Sequence, residues 1–224
     1  MEINSLLSLL HVADPNLPIG GYSHSNGLET YVQKGIVKDK ESAQVFLKNM
    51  LKDNLLYNDA SYVKLVYEVS DNLDAIKALD LECSALKSPR EIREASHKLG
   101  MRLLKIFVEE NREDSFLKQF EQYVKTTPNA GNYPIVFGVL AKIMGIPLED
   151  VLAAFYFNSA TGMVTNAVKL VPLGQIEGQH ILFALKKEIG KWVKETLALD
   201  REMVGVSNVG FDLRSMQHER LYSR

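Results

Sequence analysis

Three consecutive residues near the start of the chain, Tyr22, Ser23 and His24, carry groups that can perform acid–base or nucleophilic chemistry. Together with Glu29, the serine and histidine could serve a small helical hydrolase or transferase. Such a site also needs a concave pocket with convergent polar groups, which sequence cannot display. A nucleophile and its base are defined by spatial geometry, and no G-x-S-x-G motif surrounds Ser23. A hydrolase or transferase that uses this Tyr-Ser-His segment is therefore kept only as a second hypothesis for the function of the chain.

The same segment follows a Gly20-Gly21 pair, and glycine-rich turns before helices can bind phosphate through backbone amides. The surrounding sequence argues against a phosphate site. It contains no lysine, it lacks both the P-loop and the dinucleotide-binding spacing, and the preceding residues have a helical pattern where those motifs require a strand.

Metal chemistry has little support in the sequence. The histidines show no H-x₃-H or H-E-x-x-H pairing, and Cys83 is the only cysteine. We therefore predict no metal site, no cofactor and no catalytic residue. Cys83 is predicted to pack in the core, and the histidines other than His24 are predicted to be surface or capping residues: His11, His97, His180 and His218.

The turn that would position Tyr22 spans residues 14–29, DPNLPIGGYSHSNGLE. Its prolines fix φ, and its glycines permit backbone angles that other residues avoid. Leu17, Ile19 and Leu28 alternate with polar residues, so we predict an ordered corner between two helices, anchored in the core and presenting Tyr22.

Apolar residues recur at helical spacing along most of the chain, and no sustained alternating segment predicts a strand. We predict an all-α, single-domain bundle of roughly ten helices. A capping box is predicted at Ser88-Pro89-Arg90-Glu91, and a break at residues 127–134. Residues 151–157 are apolar on every face and predict a central helix, interrupted at 158–162, where the small residues 159–162 either allow close helix packing or mark a kink. The predicted helices cover residues 3–12, 28–34, 39–55, 62–69, 73–86, 89–107, 135–144, 147–157, 164–171 and 175–197.

Length and composition fit one globular domain. The 224 residues are 46% hydrophobic with a net charge of −2, so no broad attraction to nucleic acid or to an anionic membrane is expected. The N-terminus lacks a signal-peptide pattern, and the longest apolar run is far shorter than the ~20 residues of a membrane-spanning helix. A single cysteine favours a reducing compartment, and we predict a cytoplasmic protein.

The last residues differ from the rest. Residues 207–224 have sparse apolar side chains and dense charge, which predicts a partner-dependent tail beyond a helical domain of residues 1–206. We expect this tail to be loosely docked in the free protein and to become protected on binding a partner.

Four motifs closely resemble the UreF family of urease accessory proteins, and they occur in the family's order. Arg102 belongs to the second motif, although its four-residue repeat with Arg90, Glu94 and Lys98 is most simply a solvated helix face. The motifs are Leu17-Pro18-Ile19-Gly20-Gly21-Tyr22-Ser23-His24-Ser25 with Gly27-Leu28-Glu29; Leu99-Gly100-x-Arg102-Leu103-Leu104; Asn166-Ala167-Val168-Lys169 with Pro172-Leu173-Gly174-Gln175; and Met216-Gln217-His218-Glu219 with Tyr222-Ser223-Arg224.

The resemblance implies an all-helical, homodimeric, non-enzymatic scaffold for urease maturation. Such a scaffold binds the UreD/UreH accessory protein and recruits the UreG GTPase, so that nickel is inserted into the active site of the urease apoprotein. Modulation of UreG GTPase activity is compatible with the resemblance. In the family, the corner tyrosine and the tail arginine act together, and they correspond to Tyr22 and Arg224. The partner-binding residues implied are Pro18, Gly20, Gly21, Tyr22, Ser23, His24, Glu29, Lys169, Gln217, His218, Glu219, Tyr222, Ser223 and Arg224.

Overall fold

The computed structural model describes residues 2–20, 27–69 and 71–206, and within these ranges the chain is helical with no strand. The prediction of an all-α fold is confirmed. The helices are α1 (Ile3–Val12), α2 (Leu28–Gln33), α3 (Lys40–Asn49), α4 (Ser61–Val69), α5 (Leu73–Leu86), α6 (Arg90–Val108), α7 (Ser115–Thr126), α8 (Tyr133–Ile143), α9 (Leu148–Leu170) and α10 (Gln175–Ala198), with a π-helical segment (Met50–Ala60) and a 3₁₀ turn (Arg201–Met203).

Helix α8 lies at the centre of the bundle. Every residue from Pro134 to Ala141 is buried, and α4 and α6 pack along its sides. Phe137 meets Phe155 of α9 edge-on, with ring centroids 5.1 Å apart. A helix that is apolar on all faces needs neighbours on all sides, and α8 meets that condition more fully than the 151–157 segment, where Phe157 is 41% exposed.

Helices α9 and α10 pair along their lengths. The helix is not interrupted at residues 158–162, because α9 runs unbroken from Leu148 to Leu170, and its packing against α10 agrees with the interpretation that the small residues allow close helix packing. Thr161 and Thr165 donate their hydroxyls to carbonyls four residues earlier, at 2.9 and 2.8 Å, so these polar groups have partners within the helix. The pair is fixed internally by Tyr156 and Thr196, whose hydroxyl oxygens lie 2.8 Å apart.

The two helices predicted over residues 39–55 and 62–69 form one continuous rod, because α3 and α4 are joined by the π-helical segment. The Ser61 hydroxyl donates to the Leu56 carbonyl, five residues earlier. The chain leaving α10 returns to this segment, where the Gly205 amide donates to the Tyr57 carbonyl at 2.7 Å. The residues that precede the predicted tail are thus attached to the rod.

The start of α6 and the presence of α7 also differ from the prediction. Helix α6 begins at Arg90, and Pro89 is its N-cap without a side-chain hydrogen bond, so the predicted capping box at Ser88 is wrong. Helix α7 was not predicted. It is initiated by Asp114, whose carboxylate accepts the Leu117 amide at 2.7 Å. No helix in the described ranges combines the length and hydropathy of a membrane span.

A buried carboxylate fixes the loop between α7 and α8. Asp80 of α5 is 1% exposed. Its Oδ2 accepts the Gly131 amide at 2.7 Å and the Tyr123 hydroxyl at 3.0 Å. Its Oδ1 accepts the backbone and side-chain N–H groups of Asn132 at 3.0 and 2.7 Å. The carboxylate replaces backbone partners that this loop lacks, so the loop has a single conformation at the start of α8.

The same cluster extends to a buried histidine. Asn132 donates to Ser84 Oγ at 2.7 Å, and Ser84 Oγ lies 3.0 Å from Nε2 of His97. The Ser84 hydroxyl also donates to the Asn129 carbonyl at 3.4 Å, so the tautomer of His97 decides whether the imidazole donates to Ser84 or accepts from it. His97 is only 7% exposed, so the prediction of a surface or capping role for it is wrong.

We expect His97 to make stability sensitive to mild acid. Burial lowers the pKa of His97 below its ordinary value of 6.5, and the charge of Asp80 opposes this more weakly. The unfolded chain therefore binds a proton that the folded chain resists, so this contribution is present above pH 6.5 and is lost as pH falls through the folded pKa. The loss is at most about 1.4 kcal/mol per pH unit.

Urea denaturation at pH 7.5 and 5.5 measures this contribution. The free energy of unfolding should fall less between these values in His97→Gln than in the wild type, while the exposed His180→Gln should retain the wild-type dependence. Equal pH dependence in His97→Gln and the wild type would rule out a role for this imidazole.

Candidate functional site

The corner begins with two consecutive turns that its prolines preset. The Leu17 amide donates to the Asp14 carbonyl at 3.1 Å, which places Pro15 at the second position of a β-turn. The Asp14 side chain also accepts the Asn16 amide at 2.7 Å. The Ile19 amide then donates to the Leu17 carbonyl at 2.7 Å across Pro18, a γ-turn compatible with the fixed φ of proline. Residues 14–20 of the corner form an ordered backbone structure, as predicted, whereas residues 21–26 lie outside the described ranges.

Alternating side chains anchor this corner in the core. Leu17 and Ile19 are each 7% exposed, and Leu28, which opens α2, is 1% exposed. Between them Asn16 and Pro18 are exposed. The predicted core anchoring is therefore confirmed for Leu17, Ile19 and Leu28, and the corner is held at both ends of the segment from residue 21 to 26.

An arginine from a distant helix contacts the corner. Nη1 of Arg102 in α6 donates to the Ile19 carbonyl at 2.8 Å. The next residue, Gly20, has φ +85°, and a Cβ at that position would lie 2.4 Å from the same Nη1. Glycine is favoured at position 20 by its positive φ, and a Cβ there would also displace the guanidinium from its present place.

Helix α6 is brought into this position by a second close approach. A Cβ at Gly100 would lie 2.0 Å from the Gly131 carbonyl oxygen, in the loop held by Asp80. Residues that are two positions apart in an α-helix lie about 200° apart around the helix axis. Gly100 and Arg102 therefore face opposite sides of α6, one toward the fixed loop and the other toward the corner.

Arg102 is a residue of this site that the helical pattern did not single out. Its four-residue repeat with Arg90 and Lys98 indicates a solvated face, and Arg102 is itself exposed, as this interpretation predicts, although its guanidinium reaches the corner. The signal that could have found Arg102 is its place two residues after Gly100 within one motif of the resemblance. Only the fold shows that this motif faces the glycine-rich corner.

Most of the predicted partner-binding residues lie outside the described ranges: Gly21, Tyr22, Ser23, His24, Gln217, His218, Glu219, Tyr222, Ser223 and Arg224. Their grouping stays a prediction, as does the tail boundary at residue 207. Of the others, Pro18 and Gly20 lie in the corner, and Glu29 is 5% exposed in the first turn of α2.

Lys169 is exposed in the last turn of α9, where a cation is favoured by the helix dipole. Helix α9 packs against both α1 and α2, the two helices that flank the corner. The structure therefore brings the helix of Lys169 against the elements that carry the corner.

Helix α1 presents an apolar surface beside the corner. Leu9 and Val12 face the core, and His11 contacts the Phe107 ring of α6 at a centroid distance of 4.8 Å. Four apolar side chains of the same helix are exposed by 41–77%: Ile3, Leu6, Leu7 and Leu10.

Among the described residues, no three histidine, cysteine, aspartate or glutamate side chains are grouped as metal ligands would be. The absence of a metal or cofactor from this protein stays a prediction. Cys83 is buried in the core as predicted, and burial raises the pKa of its thiol well above the ordinary value.

Comparison with known proteins gives a consistent result. The UreF family model matches residues 37–186. A protein of Actinobacillus pleuropneumoniae named urease accessory protein UreF is 46% identical over 225 residues, covering 99% of this chain and 98% of that protein. A namesake from Haemophilus influenzae is 43% identical and covers 100% and 95%. One from an Arthrobacter species is 34% identical and covers 97% and 95%. The chain belongs to the UreF family.

Proposed function

We propose that this chain is a non-enzymatic scaffold of urease maturation that binds the UreD/UreH accessory protein and recruits the UreG GTPase. Nickel is then delivered to the urease apoprotein by the assembled complex. The observation that carries this proposal is the anchored corner at residues 14–20, which is fixed by its own turns and by Arg102 and leads directly into Tyr22.

A scaffold needs surface groups held in a defined orientation, because ordering a loop at the moment of binding reduces affinity. The corner meets this need. Its apolar residues are buried, its prolines restrict the unbound chain, and exposed Pro18 lies next to the segment that contains Tyr22, Ser23 and His24. The relatives named urease accessory protein, at 34–46% identity over nearly the whole chain, support urease maturation as the process.

The proposal includes a symmetric homodimer of this chain and modulation of UreG hydrolysis rates. Exposed apolar side chains on α9 and α10, including Phe157, Ile176 and Phe183, supply surface for association between copies. Light scattering at micromolar concentration tests this part, and a monomer alone would contradict it.

The decisive experiment concerns Tyr22 and Arg224, which we propose form one unit. A guanidinium can bond several carbonyls of the corner at once, and this would hold Tyr22 for its partner. Arg224→Ala should abolish recruitment of UreG to the UreD/UreH complex, a loss of about 2 to 5 kcal/mol in binding free energy. Tyr22→Ala should do the same, and the double variant should be no worse than either single variant.

Co-purification with tagged UreD/UreH, followed by quantification of UreG, provides the measurement. Arg214→Ala, another tail arginine, is the matched control and should recruit UreG normally. Additive losses, or normal urease activation by Arg224→Ala in cells, would show that the two residues act separately. Ester or phosphoester hydrolysis that depends on Ser23 and His24 would instead support the alternative function.

A further inference from the structure

We propose that Arg102 is a positioning residue that holds the corner in the orientation its partner recognises; the inference rests on the proposed scaffold function. The described residues supply the connection. Asp80 fixes the loop at Gly131, Gly100 seats α6 against that loop, and Arg102 on the opposite side of α6 bonds the Ile19 carbonyl.

The contact acts on the backbone at the last described residues of the corner, Ile19 and Gly20. Rotation of the Ile19–Gly20 peptide would move the Ile19 carbonyl away from Nη1, at present 2.8 Å distant. By holding that carbonyl, Arg102 fixes the direction in which the chain enters residues 21–26. Leu28 fixes the far end of the same segment in the core. Tyr22 therefore lies two residues beyond a backbone position that α6 controls.

The chemistry of the guanidinium suits this task. A hydrogen bond from a charged donor is stronger than a neutral one, and a planar guanidinium with five N–H donors is oriented more firmly than an ammonium. The bond to Ile19 uses one of those donors. Position 20 has no side chain to compete for the same space, and its φ of +85° is one that other residues adopt only with strain.

The experiment is a double-variant cycle of Arg102→Ala and Gly20→Ala with two separate readouts. The first is hydrogen exchange of the Leu17 and Ile19 amides in the full chain without partners. Arg102→Ala should accelerate their exchange about tenfold, as expected for losing one charge-assisted hydrogen bond. Gly20→Ala displaces the guanidinium, so adding Arg102→Ala to it should accelerate exchange no further.

The second readout is the dissociation constant for UreD/UreH by biolayer interferometry. Arg102→Ala should weaken binding at least tenfold, and Arg102→Lys should restore part of the affinity. Lys98→Ala, an exposed cation one turn earlier on the same helix, should leave both readouts unchanged. Thermal unfolding of each variant distinguishes loss of corner order from loss of the fold, and Arg102→Ala should melt close to the wild type.

Unchanged exchange of the corner amides in Arg102→Ala would overturn the inference at its structural step. Faster exchange with undiminished UreD/UreH affinity would overturn its functional step and leave the scaffold proposal standing. If the wild-type chain itself fails to bind UreD/UreH, the scaffold proposal fails, and with it the functional step. Faster exchange and weaker binding together, both absent in Lys98→Ala, support it.

Discussion

Asp80→Ala is expected to lower the free energy of unfolding by about 3 to 5 kcal/mol, the range for breaking a buried polar network. The variant would leave the buried Gly131 and Asn132 amides and the partly buried Tyr123 hydroxyl without their acceptor. Domains of this kind are stable by only about 5 to 15 kcal/mol, so a large share of the total would be lost. Urea denaturation monitored by circular dichroism measures the difference.

Two further variants on α5 show whether the loss comes from the buried hydrogen bonds of Asp80 or from removing a negative charge. Asp74→Ala removes a carboxylate whose side chain is 90% exposed and pairs with Lys77, so it should cost less than about 1 kcal/mol. Asp80→Asn keeps one acceptor oxygen and should fall between the two. A loss in Asp80→Ala as small as that in Asp74→Ala would show that the loop does not depend on this carboxylate.

Gly100→Ala is expected to destabilise the protein by about 2 to 3 kcal/mol, in the upper part of the range for inserting a methyl group into a packed interior. The new Cβ would meet the Gly131 carbonyl oxygen at 2.0 Å and the Asn132 carbonyl carbon at 3.0 Å. Both are backbone atoms of a loop held by Asp80, so they cannot rotate away as a side chain would. Helix α6 must shift instead, and Arg102 would move from the Ile19 carbonyl.

The matched control is Gly190→Ala, a helical glycine in α10 with nothing within 4 Å of the position of a Cβ. Alanine there should stabilise the protein by about 0.5 to 1 kcal/mol through helix propensity. Gly100→Ala should also weaken UreD/UreH binding, whereas Gly190→Ala should not. If Gly100→Ala and Gly190→Ala changed the free energy of unfolding equally, the close approach of α6 to the loop would be contradicted.

Local sequence predicted much of the fold. The 3.6-residue periodicity and the lack of alternation indicated an all-α chain, because a helix must bury one stripe whatever its partner is. The corner was also predictable. Its prolines restrict the backbone locally, Gly20 permits the positive φ that follows, and alternating Leu17 and Ile19 require a core on one side only.

Helix continuity was harder to predict because it depends on contacts between helices. Small residues at 158–162 weaken a helix in isolation, yet packing against α10 keeps α9 continuous. The rod from α3 to α4 needs a π-helical segment whose cost is offset by burial of Leu51, Leu55 and Leu56. Residues 115–126 form α7 although no helix was predicted there.

The sequence by itself determined most of the helices, the ordered turns of residues 14–20 and, through its motifs, membership of the UreF family. Only the tertiary structure decided what holds the corner. His97 is buried and Arg102 reaches Ile19 across 83 positions of sequence because α5, α6 and the loop before α8 pack together. Periodicity reports which face of a helix is apolar, whereas a single polar contact between distant segments depends on how the helices are placed against one another.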